Sequence, residues 1–225
     1  MKTKALNKKY VLAVVLALII VIAGVVLFMT MRANDTEPPI MRIHGSFLID
    51  VNNPYELVGD AGYVFVATVN EAHTEYLYPA TMENAEGGTT VVTTPYTSYT
   101  VSVIENIKGE LITEEQIQLL KRGGLAEDKK AYYIFEDDFL PEVGGTYIFI
   151  AYGQEDGALL VSGPNSNSEI TLSTASRSNG NLAEAIKEAP EYKEMLDAYE
   201  NQIIDNAHLA SREQYISKYD VSFVD

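Results

Sequence analysis

The chain has 225 residues, a formal net charge of −16 and no cysteine. The missing cysteine excludes disulfides, thiolate nucleophiles and thiolate metal sites, and the acidic balance argues against nucleic acid as a partner. The first nine residues hold four lysines and no acid, so the remainder carries 12 basic and 32 acidic residues, a net charge of −20.

The first predicted element is a membrane-spanning helix from Tyr10 to Met31, an uncharged run of 22 residues. Such a helix is about 33 Å long, enough to cross a ~30 Å hydrocarbon core. Four lysines precede the run and only Arg32 follows closely, which predicts that residues 1–9 are a cytoplasmic basic tail and that the rest is extracytoplasmic. The alternative is a cleaved signal peptide, but its apolar region is shorter, ~7–15 residues, and residues 29–33 (MTMRA) form a poor cleavage site.

Three further segments follow the helix. Residues 32–41 form a polar linker stiffened by Pro38-Pro39, residues 42–175 form a β domain, and residues 176–225 form a helical tail. Asn53 is a predicted N-cap, with Pro54 at the first helical position, for a short helix that ends near Gly59 or Gly62.

Short β-branched and aromatic runs separated by turn residues predict the strands of the β domain. The first, Tyr63 to Val69, is almost wholly apolar and is expected to be covered on both faces. Residues 79–88 are predicted as a loop. The remaining strands are predicted at residues 89–94, 99–107, 116–121, 131–136, 146–152, 158–162 and 169–172.

The tail begins with a helix capped by Asn181 and interrupted at Pro190. A second helix is predicted from about Glu191 to Arg212, because apolar residues recur there at spacings of three and four. Its apolar face is expected to pack on the sheet. The predicted fold is therefore mainly β: a transmembrane helix, an antiparallel β-barrel or sandwich, and a helical tail packed on or beside it.

The order of hydrophobic phrases also resembles a known family. NPYELVGDAGYVFVATV, YTVSVIENIKGEL, QIQLLKRGG and EVGGTYIFIAYGQEDGALLVSGP follow one another within residues 46–172. This order resembles the five-stranded OB barrel of netrin-like domains, found in tissue inhibitors of metalloproteinases, and uncharacterised membrane-anchored surface proteins of Gram-positive bacteria. Those inhibitors chelate the protease metal through an N-terminal cysteine, which this chain lacks. The resemblance implies a barrel used for binding, without that inhibitory mechanism.

Two groups of acidic and histidine residues are candidate metal sites. Glu71, His73 and Glu75 would share one face of a continued strand and offer nitrogen and oxygen ligands, although alternating polar residues at a strand end are more often a solvated face. Glu127-Asp128 and residues 136–138 could gather oxygens for calcium, but they lack the spacing of a calcium loop and are read as solvated acidic loops. No metal and no cofactor is therefore predicted.

Catalytic signatures are weaker still. His44, His73 and His208 could serve a Ser-His-Asp arrangement on paper, yet no G-x-S-x-G is present, so His44 is read as a surface residue and His208 as solvated. The glycine pairs lack the Lys-Ser/Thr of a phosphate loop. Tyrosines around the loop 76–98 form a softer candidate binding surface, with members Tyr76, Tyr78, Tyr96 and Tyr99. Core burial and strand propensity explain most of these tyrosines equally well.

Together these observations predict a non-enzymatic, single-pass, membrane-tethered extracytoplasmic domain that binds a protein or envelope component. One alternative is a metal-dependent enzyme or metal-binding factor centred on Glu71, His73 and Glu75. A second alternative is a structural or assembly subunit of the cell envelope that docks through its helical tail.

Overall fold

A computed structural model describes residues 37–83, 88–113, 115–172 and 182–223. The predicted transmembrane helix and basic tail lie outside these ranges. Within them, no helix has both the length and the hydropathy that a membrane crossing requires. Residues 39–225 form one unit. It is mainly β, and its strands are β1 Ile40–Ile43, β2 Tyr63–Glu83, β3 Thr89–Lys108, β4 Gln116–Arg122, β5 Gly124–Leu125, β6 Tyr132–Phe135, β7 Thr146–Gly153, β8 Leu159–Val161 and β9 Asn167–Glu169.

The helices lie near the start and toward the end of this unit. They are α1 Pro54–Asp60, α2 Leu182–Lys187, α3 Pro190–Glu200 and α4 Asn206–Ala210, followed by a 3-10 turn at Val221–Phe223. The predicted start of α1 is confirmed: the Asn53 side chain accepts a hydrogen bond from the Tyr55 amide, and Pro54 opens the helix.

The larger sheet closes on itself. Its order is β2-β3-β4-β8-β7-β9, and β2 also pairs with β7, so five strands form a ring of hydrogen-bonded neighbours. All pairings around the ring are antiparallel except β4 with β8, which are parallel. Register shifts between β2 and β3 occur at four places along β2. Such bulges increase local twist and let one long strand pair with two neighbours around a curve.

Alternation along the central strands builds two cores. In β2, Phe65 and Ala67 belong to one buried cluster, whereas Val64 and Val66 belong to the other. The predicted two-sided burial of this strand is thus confirmed. The second cluster includes Ile186, Tyr192 and Ala198 from α2 and α3, so the helices cover one face of the sheet, also as predicted. Each fully buried aliphatic side chain contributes about 1.5–3 kcal/mol.

Three predicted boundaries are wrong. Residues 79–83 continue β2, and the strands predicted at 89–94 and 99–107 are one strand, β3, because the two long strands pair with each other through Glu83 and Thr89. Strand β9 lies at Asn167–Glu169, and not at 169–172.

The linker and the second tail helix also differ from the prediction. β1 begins within predicted linker 32–41, because Ile40 to Ile43 pair in parallel with β6. Helix α3 ends at Glu200, because the chain then turns onto α1, where the Ile203 amide donates to the Tyr55 carbonyl at 3.0 Å. A separate helix, α4, then starts at the N-cap Asp205, whose carboxylate accepts from two amides.

Candidate functional site

A cleft lies between α3 and the β7–β9 edge of the large sheet. Its volume is about 380 Å³, within the range of roughly 300–1,000 Å³ typical of ligand pockets. Leu57, Ile148, Ile150 and Met195 give it an apolar surface, and we call it the Asn167 cleft after its central polar residue. The remaining lining residues are Val51, Asn52, Pro54, Asn165, Asn167, Ser168, Glu191 and Glu194.

The polar wall of the cleft is held in place by the strand that carries it. Asn167 pairs with Phe149 across the β7–β9 ladder, and the Ile150 amide donates to the Ser166 carbonyl at 2.9 Å. Just before them, Asn165 adopts a positive φ of 54° and donates from its side chain to the Val51 carbonyl at 3.0 Å. These bonds fix the wall before any ligand arrives, which lowers the entropic cost of binding.

Asn167 is the unusual residue of this wall. Only 5% of it is exposed, yet neither its amide nitrogen nor its amide oxygen has a hydrogen-bond partner. An unsatisfied buried polar group costs about 1–3 kcal/mol, and most such groups in folded proteins are paired. The amide therefore has two N–H donors and a carbonyl acceptor without partners in the protein.

The opposite wall is acidic. Pro190 opens α3, and Glu191 and Glu194 lie three residues apart on one face of its first turns. The Oε2 atom of Glu191 is buried without a hydrogen-bond partner. No lysine, arginine or histidine is among the residues that line the cleft, so two carboxylates face it without a basic neighbour in the lining.

A buried ion pair lies elsewhere, between β4 and the loop after β6. Lys121 Nζ contacts both carboxylate oxygens of Asp138, at 2.8 and 3.0 Å, and the Ser166 hydroxyl at 3.0 Å. Both side chains are fully buried. Burial lowers the pKa of Lys121 and raises the pKa of Asp138, and the attraction between them opposes both shifts. The sealed pair is structural, because no solvent or ligand reaches it.

Asp60, the last residue of α1, contacts two basic side chains of the C-terminal segment. Its carboxylate lies 2.9 Å from Arg212 Nη2 and 3.3 Å from His208 Nε2. The Arg212 guanidinium also stacks 5.2 Å from the centre of the Tyr152 ring. Burial and the nearby Asp60 carboxylate raise the pKa of Tyr152. The prediction that His208 is solvated is wrong: its side chain is 17% exposed and is paired with Asp60.

The metal candidates from the sequence are only partly assembled. Glu71 and His73 share a face, as predicted, with His73 Nε2 3.5 Å from Glu71 Oε2 and both side chains well exposed. Glu75 does not complete a set of ligands with them. Over residues 37–223, apart from the undescribed stretches, no three His, Asp or Glu side chains are placed to hold a metal ion.

The acidic loops have other partners. Glu127 accepts from the Thr93 hydroxyl at 3.0 Å, and Asp128 accepts from the Lys130 amide at 3.0 Å. Glu136 pairs with His44 at 2.7 Å on the surface, where His44 was predicted to lie. The interpretation of residues 136–138 as solvated fails for Asp138, which is buried against Lys121.

The candidate tyrosine surface is wrong for two of its four members. Tyr96 is 7% exposed and Tyr99 is 1% exposed, and Tyr99 belongs to the core inside the ring. The side chains of Tyr76 and Tyr78 lie outside the described residues. Burial explains these aromatic positions on β3 better than contact with a partner does.

Alkaline pH should weaken the fold through Tyr63. Burial, with the nearby Asp220 carboxylate, raises the pKa of Tyr63 to about 12, and its hydroxyl accepts from the Ser217 amide at 2.9 Å and donates to Asp220 at 3.0 Å. In the unfolded chain the tyrosine hydroxyl ionises near pH 10. The stability that the neutral, buried Tyr63 contributes is therefore complete below pH 10 and is lost as pH rises toward 12. Urea unfolding from pH 8 to 12 measures the loss. In Tyr63→Phe the free energy of unfolding should depend less steeply on pH. An unchanged slope in that variant would contradict the assignment.

No family model matches this sequence, and no curated protein matches it.

Proposed function

We propose that this chain is a membrane-tethered extracytoplasmic binding domain without catalytic activity. The observation that carries the binding role is the Asn167 cleft, a preformed cavity that contains a buried amide with no internal partner. A concave shape, with convergent polar groups beside apolar side chains, is a usual property of a ligand site. The lining supplies amides, carboxylates and the Ser168 hydroxyl, and this hydroxyl has no hydrogen bond to either carboxylate of the lining.

The architecture supports an OB-like barrel as the scaffold of this site. Around the ring the strands follow the order β2, β3, β4, β8, β7. Numbered along the chain, these are the first, second, third, fifth and fourth strands of the ring, and the third (β4) and the fifth (β8) run parallel. An OB fold is likewise a five-stranded barrel that binds ligands on its surface. The resemblance of the sequence phrases to netrin-like domains points to the same scaffold.

The membrane location rests on the sequence of the first 32 residues. An apolar run of 22 residues is long enough to span a bilayer, and lysines lie on one flank only. The strongly acidic remainder would then face the exterior, where a protein or envelope component is the expected partner.

Protease accessibility tests the location. Proteinase K added to intact cells that express the full chain should degrade the portion after Arg32 and leave a short membrane-bound fragment. A cytosolic marker protein should survive in the same sample, and detergent lysis should expose both. Survival of the full chain in intact cells, together with its recovery in the soluble fraction, would overturn the proposal.

A further inference from the structure

We infer that the Asn167 cleft binds a small amino alcohol of the amino-sugar class, with its ammonium on the Glu191 side and its hydroxyls on Asn167. The inference deepens the proposed binding function and rests on it. It follows from three properties of the cleft, which are its orphaned amide, its uncompensated charge and its apolar surface.

The amide of Asn167 sets the first requirement. Because both its nitrogen and its oxygen lack partners and the residue is 95% buried, a ligand must supply an acceptor and a donor side by side. A hydroxyl pair on neighbouring carbons does this, since each hydroxyl can donate or accept. A purely apolar ligand would leave the amide without a hydrogen-bond partner.

The charge of the cleft sets the second requirement. Glu191 and Glu194 line it and no basic residue does, so an anionic ligand would be repelled and a cation attracted. The Oε2 atom of Glu191 is buried without a partner, and an ammonium would give it a charge-assisted hydrogen bond. A hydroxyl compound without a charge would leave this part of the site unused.

The apolar surface sets the third requirement. Leu57, Ile148, Ile150 and Met195 line the cleft beside the polar groups. Ile148 and Ile150 are almost fully buried members of the second core cluster and form a rigid base. Val51, Pro54 and Met195 supply the partly exposed apolar surface. It suits the carbon face of a ring better than an extended, fully hydrated polyamine, because packing of C–H groups replaces water there.

Calorimetric titration of the full chain in a non-ionic detergent tests the inference. The probes are glucosamine, glucose and N-acetylglucosamine at mildly acidic pH, where the amine of glucosamine is protonated. Glucosamine should bind at least tenfold more tightly than the two neutral sugars. Equal affinity for glucosamine and glucose, or no heat with glucosamine, would overturn the inference.

Two variants locate the site, each with a matched control. Glu191→Gln should weaken glucosamine binding at least tenfold, whereas Glu200→Gln at the far end of α3 should leave it unchanged. Asn167→Leu should abolish binding and raise the melting temperature by about 2–4 °C, because an unsatisfied amide is removed from the interior. By contrast, Asn106→Leu should lower the melting temperature. The Asn106 side-chain nitrogen donates to the Leu111 carbonyl and its side-chain oxygen accepts from the Leu111 amide, and both bonds are lost in this variant.

Each outcome bears on one proposal. Unchanged affinity in Glu191→Gln overturns the inference even if Asn167→Leu fails to fold. If no sugar binds but the protease experiment places the domain outside the cell, the amino-sugar inference falls and the tethered binding domain stands. If glucosamine binds but the chain is cytosolic, the location falls and the ligand class stands.

Discussion

Lys121→Met is expected to lower the free energy of unfolding by about 3–5 kcal/mol, because it leaves Asp138 buried without its counter-charge. Among the described residues, Lys121 forms the only ion pair with that carboxylate, through two contacts of 2.8 and 3.0 Å. Ser166 loses its ammonium partner as well. Asp138 must then take up a proton to stay in the core, so the loss should shrink as pH falls.

Urea unfolding monitored by circular dichroism measures this effect, with Lys121→Met/Asp138→Leu as the matched control. Replacing both charges with apolar side chains removes the desolvation cost along with the attraction, so the double variant should recover most of the lost stability or exceed the parent. If the single variant is as stable as the parent, or if the double variant is less stable than the single one, the pair does not hold the loop after β6 to β4.

Asp60→Asn should release the C-terminal segment, residues 206–223, at a cost of about 1–3 kcal/mol, between the values of an exposed and a buried ion pair. The hydrogen bond from Arg212 Nη2 to the Asp60 backbone carbonyl is kept in this variant. The substitution keeps the shape of the side chain but removes the charge that Arg212 and His208 share. The rest of the unit is expected to stay folded, because the buried members of both cores lie outside this segment, which adds only the partly buried Tyr219 to the first core.

Hydrogen exchange distinguishes this local release from global unfolding. The amides of Lys218 and Val221 donate to Gly157 and Glu110 in the parent, so they should lose protection in Asp60→Asn while the amides of β7 keep theirs. Glu155→Gln, an exposed change of the same charge, should alter neither. Uniform loss of protection in both regions would show that Asp60 supports the whole fold.

Local signals explain the parts of the fold that could be predicted. Asn53 and Pro54 mark the start of α1 through short-range capping, and the unbroken apolar run of β2 indicates burial on both faces. The end of α3 could not be predicted in this way. Ile203 and Ile204 continue the helical spacing, yet they are 52% and 46% exposed, because a backbone contact with α1 decides where the helix stops.

The site depends on contacts that sequence spacing does not encode. Asn167 comes from a polar stretch typical of a loop, and only its pairing with Phe149 buries it. Its position three residues before the buried Ile170 was the available signal, and it is weak. Lys121 and Asp138 likewise look solvated in sequence, and they meet only because Lys121 points into the same interior as the loop that follows β6.

The contact between Tyr63 and the C-terminal segment has a consequence for biosynthesis. The partner amide of its hydroxyl belongs to Ser217, 154 residues later. At ~5–20 residues per second, a ribosome needs roughly 8–30 s to synthesise these residues, so Tyr63 stays uncovered by the C-terminal segment for that time. An incomplete chain with this uncovered surface is a client for a holding chaperone during this interval. Nascent chains stalled before residue 217 should bind such a chaperone more strongly than finished ones.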